Sequence, residues 1–223
     1  KAGTPNHRNQ VIHAKQILRH IRGSLPLAAL QPSMLENYKQ RRVEAGMSSQ
    51  TIKHSLNCLT GALKKAKREG YDCPDLQAPA VKIPNGKLRF LNLEEEKRLL
   101  HELDPSRRVH SVPTSRKVEI QGFMEDNHDL IVLLLDTGAR YSEIANIHWK
   151  QIDLESRSIS LWRSKVNNES IIFMTDRVHD ILTRRSLSRS GDHVFTNKAG
   201  SARGYSSVAI RKAFRRAGLD DCT

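Results

Sequence analysis

The run Leu133-Leu-Leu-Asp-Thr-Gly-Ala-Arg140-Tyr-Ser-Glu143-Ile144 is the most informative stretch of the chain. Its apolar residues continue from Asp129 and predict a buried helix over 129–137, stopped by Gly138. A further helix follows from about Ser142 to His148. Arg140 stands in the corner between the two, with Glu143 one turn later and able to hold its guanidinium. A guanidinium donates two hydrogen bonds from one plane, so an arginine fixed at such a corner suits a phosphate. Taken alone, the pair reads equally as a structural Arg–Glu bridge.

Beyond this corner the period changes. Ile152, Leu154, Ile159, Leu161 and Ile171 to Phe173 predict three short strands, separated by Glu-Ser-Arg and Lys-Val-Asn-Asn turns. Lys165 lies in the second turn, where a lysine can enter a DNA groove or give a proton to a leaving oxygen. Judged alone, a lysine on a turn tip is a solvated one. Helices resume at about Arg177–Leu187 and Ser206–Ala217. Ahead of the corner, Asn92 with Glu95 predicts a capped helix running to about Leu103. Residues 104–127, including Arg107, Arg108, Arg116 and Lys117, read as polar and irregular.

The front of the chain reads as a helical bundle. Val11, Ala14, Leu18 and Ile21 recur at helical spacing, with Lys15, Arg19 and Arg22 as a parallel basic row. Ser33-Met-Leu-Glu36 predicts a capping box for a second helix that ends near Gly46. In the third helix Ile52, Leu56, Leu59, Leu63 and Ala66 make one buried stripe, and Gly70 supplies the stop. Lys53, Asn57, Thr60, Lys64 and Lys67 make a hydrophilic stripe beside it. Such a helix can pack by one side and offer cations and an amide to a DNA groove, or it can simply be solvated. Residues 71–91, with Pro74, Pro79, Pro84 and Gly86, have linker composition, and Lys82 and Lys87 suit a phosphate backbone. The division is therefore a helical DNA-binding domain over 1–72, a linker over 73–89 and a second domain over 90–223.

Composition points the same way. The 223 residues hold 37 Lys and Arg against 24 Asp and Glu, a net charge of +13, which favours a polyanionic partner. The excess is concentrated in front: residues 1–84 hold 14 basic against 5 acidic residues, the remainder 23 against 19. A membrane partner is disfavoured, because the longest apolar run, Leu130 to Leu135, falls far short of the ~20 residues of a span. Cys58, Cys73 and Cys222 form no CxxC pair, which suits a reducing cytoplasm and argues against structural zinc. The histidines form no HExxH, and no GxxxxGK[ST] loop is present.

Together the long apolar helix, Thr137-Gly-Ala-Arg-Tyr-Ser-Glu-Ile144, His148-Trp-Lys-Gln-Ile-Asp153 and the hairpin with its lysine resemble the tyrosine recombinases of phage-integrase type. Leu27-Ala-Ala-Leu30, the capped helix and Gly46-Met-Ser-Ser-Gln-Thr-Ile-Lys53 resemble that family's core-binding domain. The resemblance implies a mainly α fold with a small antiparallel sheet. It also implies DNA cleavage and rejoining through a 3′-phosphotyrosine, without metal, nucleotide or other cofactor. Arg140 would then hold a non-bridging oxygen of the scissile phosphate, Lys165 would protonate the 5′-oxygen leaving group, and Glu143 would support the site. The implied partners are a duplex recombination site and, for the parent, a homo-tetramer in a bacterial or phage-encoded cytoplasmic setting. The present chain would be monomeric when free.

The family also presents His-x-x-Arg, a His or Trp, and a nucleophilic tyrosine. No His-x-x-Arg occurs in residues 1–223; His179-Asp-Ile-Leu182 has leucine at the fourth position and comes too early. Tyr38, Tyr71, Tyr141 and Tyr205 all precede the place where that motif is due. The expectation is a catalytic domain incomplete at its C-terminus, with no nucleophile in this chain and no cutting. The alternatives are a non-catalytic duplex-DNA-binding protein of the same fold and, on charge alone, an RNA-binding helical protein.

Overall fold

The computed structural model describes residues 6–84, 89–107, 114–163, 168–205 and 207–222. The chain divides into two compact units, Lys1–Leu88 and Arg89–Thr223. The described residues are mainly helical, with one three-stranded antiparallel sheet in the second unit.

The first unit contains α1 (His7–Leu18), α2 (Pro32–Glu44) and α3 (Ser49–Arg68). Ser48 caps α3 by accepting the Thr51 N–H. The expected apolar stripe of α3 faces inward: Ile52, Leu56 and Leu63 are buried with Leu35 and Tyr38 of α2, and Leu59 and Ala66 pack against them. Gly70 takes a left-handed φ of 87°, letting the Tyr71 N–H close back onto the Ala66 carbonyl.

Three details of this unit depart from the sequence reading. Thr60 is buried, its hydroxyl donating back to the Leu56 carbonyl at 3.2 Å, so it leaves the hydrophilic stripe. Val11, Ala14 and Leu18 are exposed, and Ile17 is the buried residue of α1. The reason is that α1 meets α3 partly through polar groups, with His13 Nδ1 2.9 Å from Ser55 Oγ, so apolar periodicity misplaces the contact face. Finally, α2 begins with Pro32 and makes no side-chain cap bond; Ser33 lies inside the helix. Proline's fixed φ suits that first position, where no N–H is needed. The stretch 71–84 has no helix or strand, yet Cys73 and Leu76 enter the same core, and Lys39 Nζ donates to the Ala80 carbonyl at 3.4 Å.

The second unit opens with α4 (Leu93–Leu103), capped by the expected Asn92–Glu95 box: each backbone N–H meets the other's side chain at 2.9 Å. Hydrogen bonds from the Arg89 guanidinium and from this cap hold the Glu95 carboxyl down to about 2. Next comes α5 (Lys117–Thr137), which corrects the irregular reading of 104–127, because the helix begins at Lys117 rather than Asp129. Its first half lacks a continuous apolar stripe, and Val118 is 86% exposed. Ion pairs anchor it instead: Glu119 to Lys198, and Asp126 to Arg185 at 2.8 Å.

Left-handed Gly138 (φ 60°) ends α5, and α6 (Tyr141–Ala145) starts three residues later, a shorter helix than expected. Strands β1 (Ile152–Asp153), β2 (Ser158–Arg163) and β3 (Asn168–Phe173) pair in sequence order. Ile159 of β2 lies opposite Ile152 and Ile172, and Arg163 opposite Asn168. α7 (Asp176–Leu187) and α8 (Val208–Arg216) complete the unit. Its core gathers Leu130 and Leu133 of α5 with Leu99, Ile144, Ile159, Leu161, Leu182, Phe195 and Ile210.

Within this apolar core sits one buried carboxylate. Asp129 accepts from Arg184 Nη2 at 2.8 Å and from Arg185 Nε at 2.6 Å. Burial pushes its pKa up, but His128, Arg185 and Arg184 together outweigh that and hold the carboxyl below its usual range. The Arg185 guanidinium also lies 4.5 Å from the Phe195 ring centroid, so α5, α7 and the following segment are tied through one side chain.

Candidate functional site

The corner between α5 and α6 positions Arg140. Gly138 reverses the chain, and Arg140 is extended (φ −73°, ψ 148°) as the N-cap of α6. Glu143 then comes back over it. Its Oε2 accepts the Arg140 backbone N–H at 2.8 Å, and its Oε1 accepts from Nη1 at 2.6 Å. Glu143 is nearly covered, at 11% exposed, whereas the Arg140 side chain is 51% exposed. The carboxylate therefore fixes the arginine from the protein side and leaves a cation facing solvent.

That cation borders an open cleft. Arg140, Ser142, Glu143 and Asn146 line it together with Gln151 and with Leu161 and Trp162 of β2. Gln151 is fixed by donating its side-chain amide to the Ser160 carbonyl at 2.8 Å. Lys165 lies outside the described residues, but the strand that leads to it, through Trp162, walls the same cleft. Tyr205 is 78% exposed and stacks edge-on against Tyr141, with ring centroids 5.1 Å apart. It precedes α8, which begins at Val208.

The basic residues of the first unit are distributed over several elements. Lys53, Asn57 and Lys64 are exposed on α3, and Lys82 is exposed in the stretch after it. Lys15 is exposed on α1, but Arg19 is that helix's C-cap and Arg22 lies past its end, so the three do not form a row on one helix. Lys87 lies outside the described residues.

Sequence reading missed Arg41 and Arg42, in the last turn of α2. Their charges and that of Arg19 act on His20, whose pKa is lowered first by burial and then by Arg42, Arg41 and Arg19. The Arg-Arg dipeptide is visible in the sequence, but its sharing of His20 with Arg19 is tertiary. Among the described residues no three His, Cys, Asp or Glu side chains gather as metal ligands, and no helix is long and apolar enough to cross a membrane.

Known proteins place these features in context. Residues 89–221 match the model of the phage integrase family. The integrase of Salmonella phage P22 is 27% identical over 184 residues, covering 74% of this chain and 42% of that protein. The chain thus spans less than half the length of that curated relative. Among solved structures, the Tn1549 transposon integrase in complex with transposon right end DNA superposes with a TM-score of 0.68 at 21% identity, over 97% of this chain and 73% of that one. A lambda integrase tetramer bound to a Holliday junction gives 0.66 at 16% identity, over 94% and 58%. At these identities the superpositions speak for the fold.

Proposed function

Because the chain belongs to the phage integrase family of tyrosine recombinases, we propose that it holds a duplex recombination site and supplies the first part of a DNA strand-transfer centre. The observation that carries this reading is the arginine at the α5–α6 corner, locked by Glu143 and open to a cleft. An aimed, half-exposed guanidinium can donate to a non-bridging phosphate oxygen and stabilise the charge that gathers there in the transition state. Lys165, three residues after Trp162 in the sequence, is the general acid for the 5′-oxygen in this reading. Glu143 touches no reacting atom; it positions Arg140.

In the reaction proposed, a tyrosine oxygen bonds to phosphorus while the bond to the 5′-oxygen breaks and that oxygen takes a proton. One phosphodiester is exchanged for another ester of similar energy, so the step needs no external energy source such as a nucleotide. Residues 1–223 carry neither a His-x-x-Arg nor a tyrosine after it. We therefore infer that these residues alone bind the site without cutting it. The basic first unit, with Lys53, Asn57 and Lys64 on α3 and the arginines around His20, supplies most of the phosphate contact. A tetramer on paired sites is the assembly proposed for the complete recombinase, in line with the lambda integrase tetramer on a Holliday junction.

The test is substitution of Arg140 in a polypeptide that joins these residues to a His-x-x-Arg segment and its tyrosine. Arg140→Ala should abolish cleavage while the duplex is still bound, at an affinity lowered only several-fold. Cleavage at the unsubstituted rate would remove Arg140 from the reaction.

A further inference from the structure

The chain has two tryptophans, and they are opposites. Trp149 is a core residue at 7% exposure, while Trp162, near the end of β2, is 57% exposed. Single exposed apolar side chains are ordinary on protein surfaces, so exposure alone says little. Location says more. Trp162 walls the cleft that Arg140 borders, whereas Ile171 and Phe173, also exposed on β3, do not line it.

Resting on the reading of Arg140 as a phosphate clamp, we propose that Trp162 packs against the deoxyribose next to the clamped phosphate. A duplex offers little apolar surface near a backbone phosphate. The base faces are stacked on one another, which leaves the sugar. A sugar flanks every phosphate, so a flat side chain lining the same open cleft as the phosphate-binding cation is placed to meet it. The indole keeps water from that side of the phosphate and strengthens the guanidinium's hold. It also favours deoxyribose over ribose, since a 2′-hydroxyl brings a polar group, with its own hydration, against an apolar ring. Trp162 is thus a positioning and sugar-discriminating residue.

The native fluorescence of the whole chain reads this directly, because buried Trp149 is shielded from an aqueous quencher and Trp162 is not. Iodide quenching should fall when a duplex DNA oligonucleotide binds, with binding followed independently by anisotropy of the labelled DNA. Trp162→Ala should weaken duplex affinity by about five-fold, what covering a few tens of Å² of apolar surface contributes, and Trp162→Phe should retain most of it. The preference for duplex DNA over duplex RNA of the same sequence should shrink in Trp162→Ala. If DNA binds while iodide quenching and the DNA-to-RNA ratio in Trp162→Ala stay unchanged, the Trp162 assignment is overturned and the DNA-holding function stands. If no duplex binds at all, both fall.

Discussion

Glu143 receives Arg140 twice, through its backbone N–H at 2.8 Å and through Nη1 at 2.6 Å. One carboxylate thus caps the first turn of α6 and aims the guanidinium. The cap needs a short acceptor three residues after the corner, and the aim needs that same acceptor to be charged. Both demands meet in the single spacing Arg-x-x-Glu.

This coupling predicts non-additivity. Arg140→Ala and Glu143→Ala should each weaken duplex affinity, and the double variant should be little worse than Arg140→Ala alone. Glu143→Ala should also cost about 1–2 kcal/mol of unfolding free energy through the lost cap. A double-mutant cycle on labelled DNA measures the first point; fully additive losses would show that Glu143 does not act through Arg140.

The buried carboxylate of α5 predicts a stability effect far from the cleft. Asp129→Asn removes the charge that two arginines share; Arg185 keeps Asp126 and Arg184 is half-exposed, so the cost should be about 1–3 kcal/mol. Urea unfolding of the variant checks this. A loss under 1 kcal/mol would mean that the arginines turn to solvent without penalty.

Acidification should weaken the first unit. His13 is held below the usual histidine value by burial and then by His54, and His20 by burial and then by the neighbouring arginines. The unfolded chain takes up these protons near pH 6.5, by the ordinary histidine value of about that size, and the folded chain only at lower pH. Their contribution is therefore complete above about pH 6.5 and is lost as pH falls through the depressed folded values. Denaturation at pH 7.5 and pH 5.5 should show this loss, and it should be smaller in His20→Gln. Stability that rises on acidification would contradict the assignment.

Counterion release gives a further check on the first unit. Affinity for duplex DNA should fall steeply with salt, and Lys53→Ala, Lys64→Ala or Arg41→Ala should each lower the slope of log K against log salt by about 1. An unchanged slope on substitution would place that residue away from the phosphates.

The elements held by local patterns were the legible ones. The apolar stripe of α3 and the Asn92–Glu95 cap of α4 read correctly, because neighbours along the helix decide both. The turn between β1 and β2 and the pairing of Arg140 with Glu143 read correctly for the same reason. What escaped depended on distant partners. The first half of α5 is held by Lys198 and Arg185 rather than by its own apolar residues, so it looked like a loop. The contact face of α1 rests on His13 meeting Ser55, 42 residues away, and a scale of hydrophobicity cannot see that. Thr60 looked polar and is buried because its hydroxyl satisfies itself on the preceding turn. At the site, the arginine and its holder were legible, while Trp162, which lines the same cleft, became visible only when β2 was folded beside α6.

Residues 1–223 are expected to hold duplex DNA without cutting it. The most direct test incubates the whole chain with a nicked duplex that traps a 3′-phosphotyrosine if one forms. Binding is followed at low salt, and the mixture is then resolved under denaturing conditions. The complex should dissociate completely in detergent and leave both DNA strands unmodified. A detergent-resistant protein–DNA adduct, or a failure to bind the duplex at all, would contradict it.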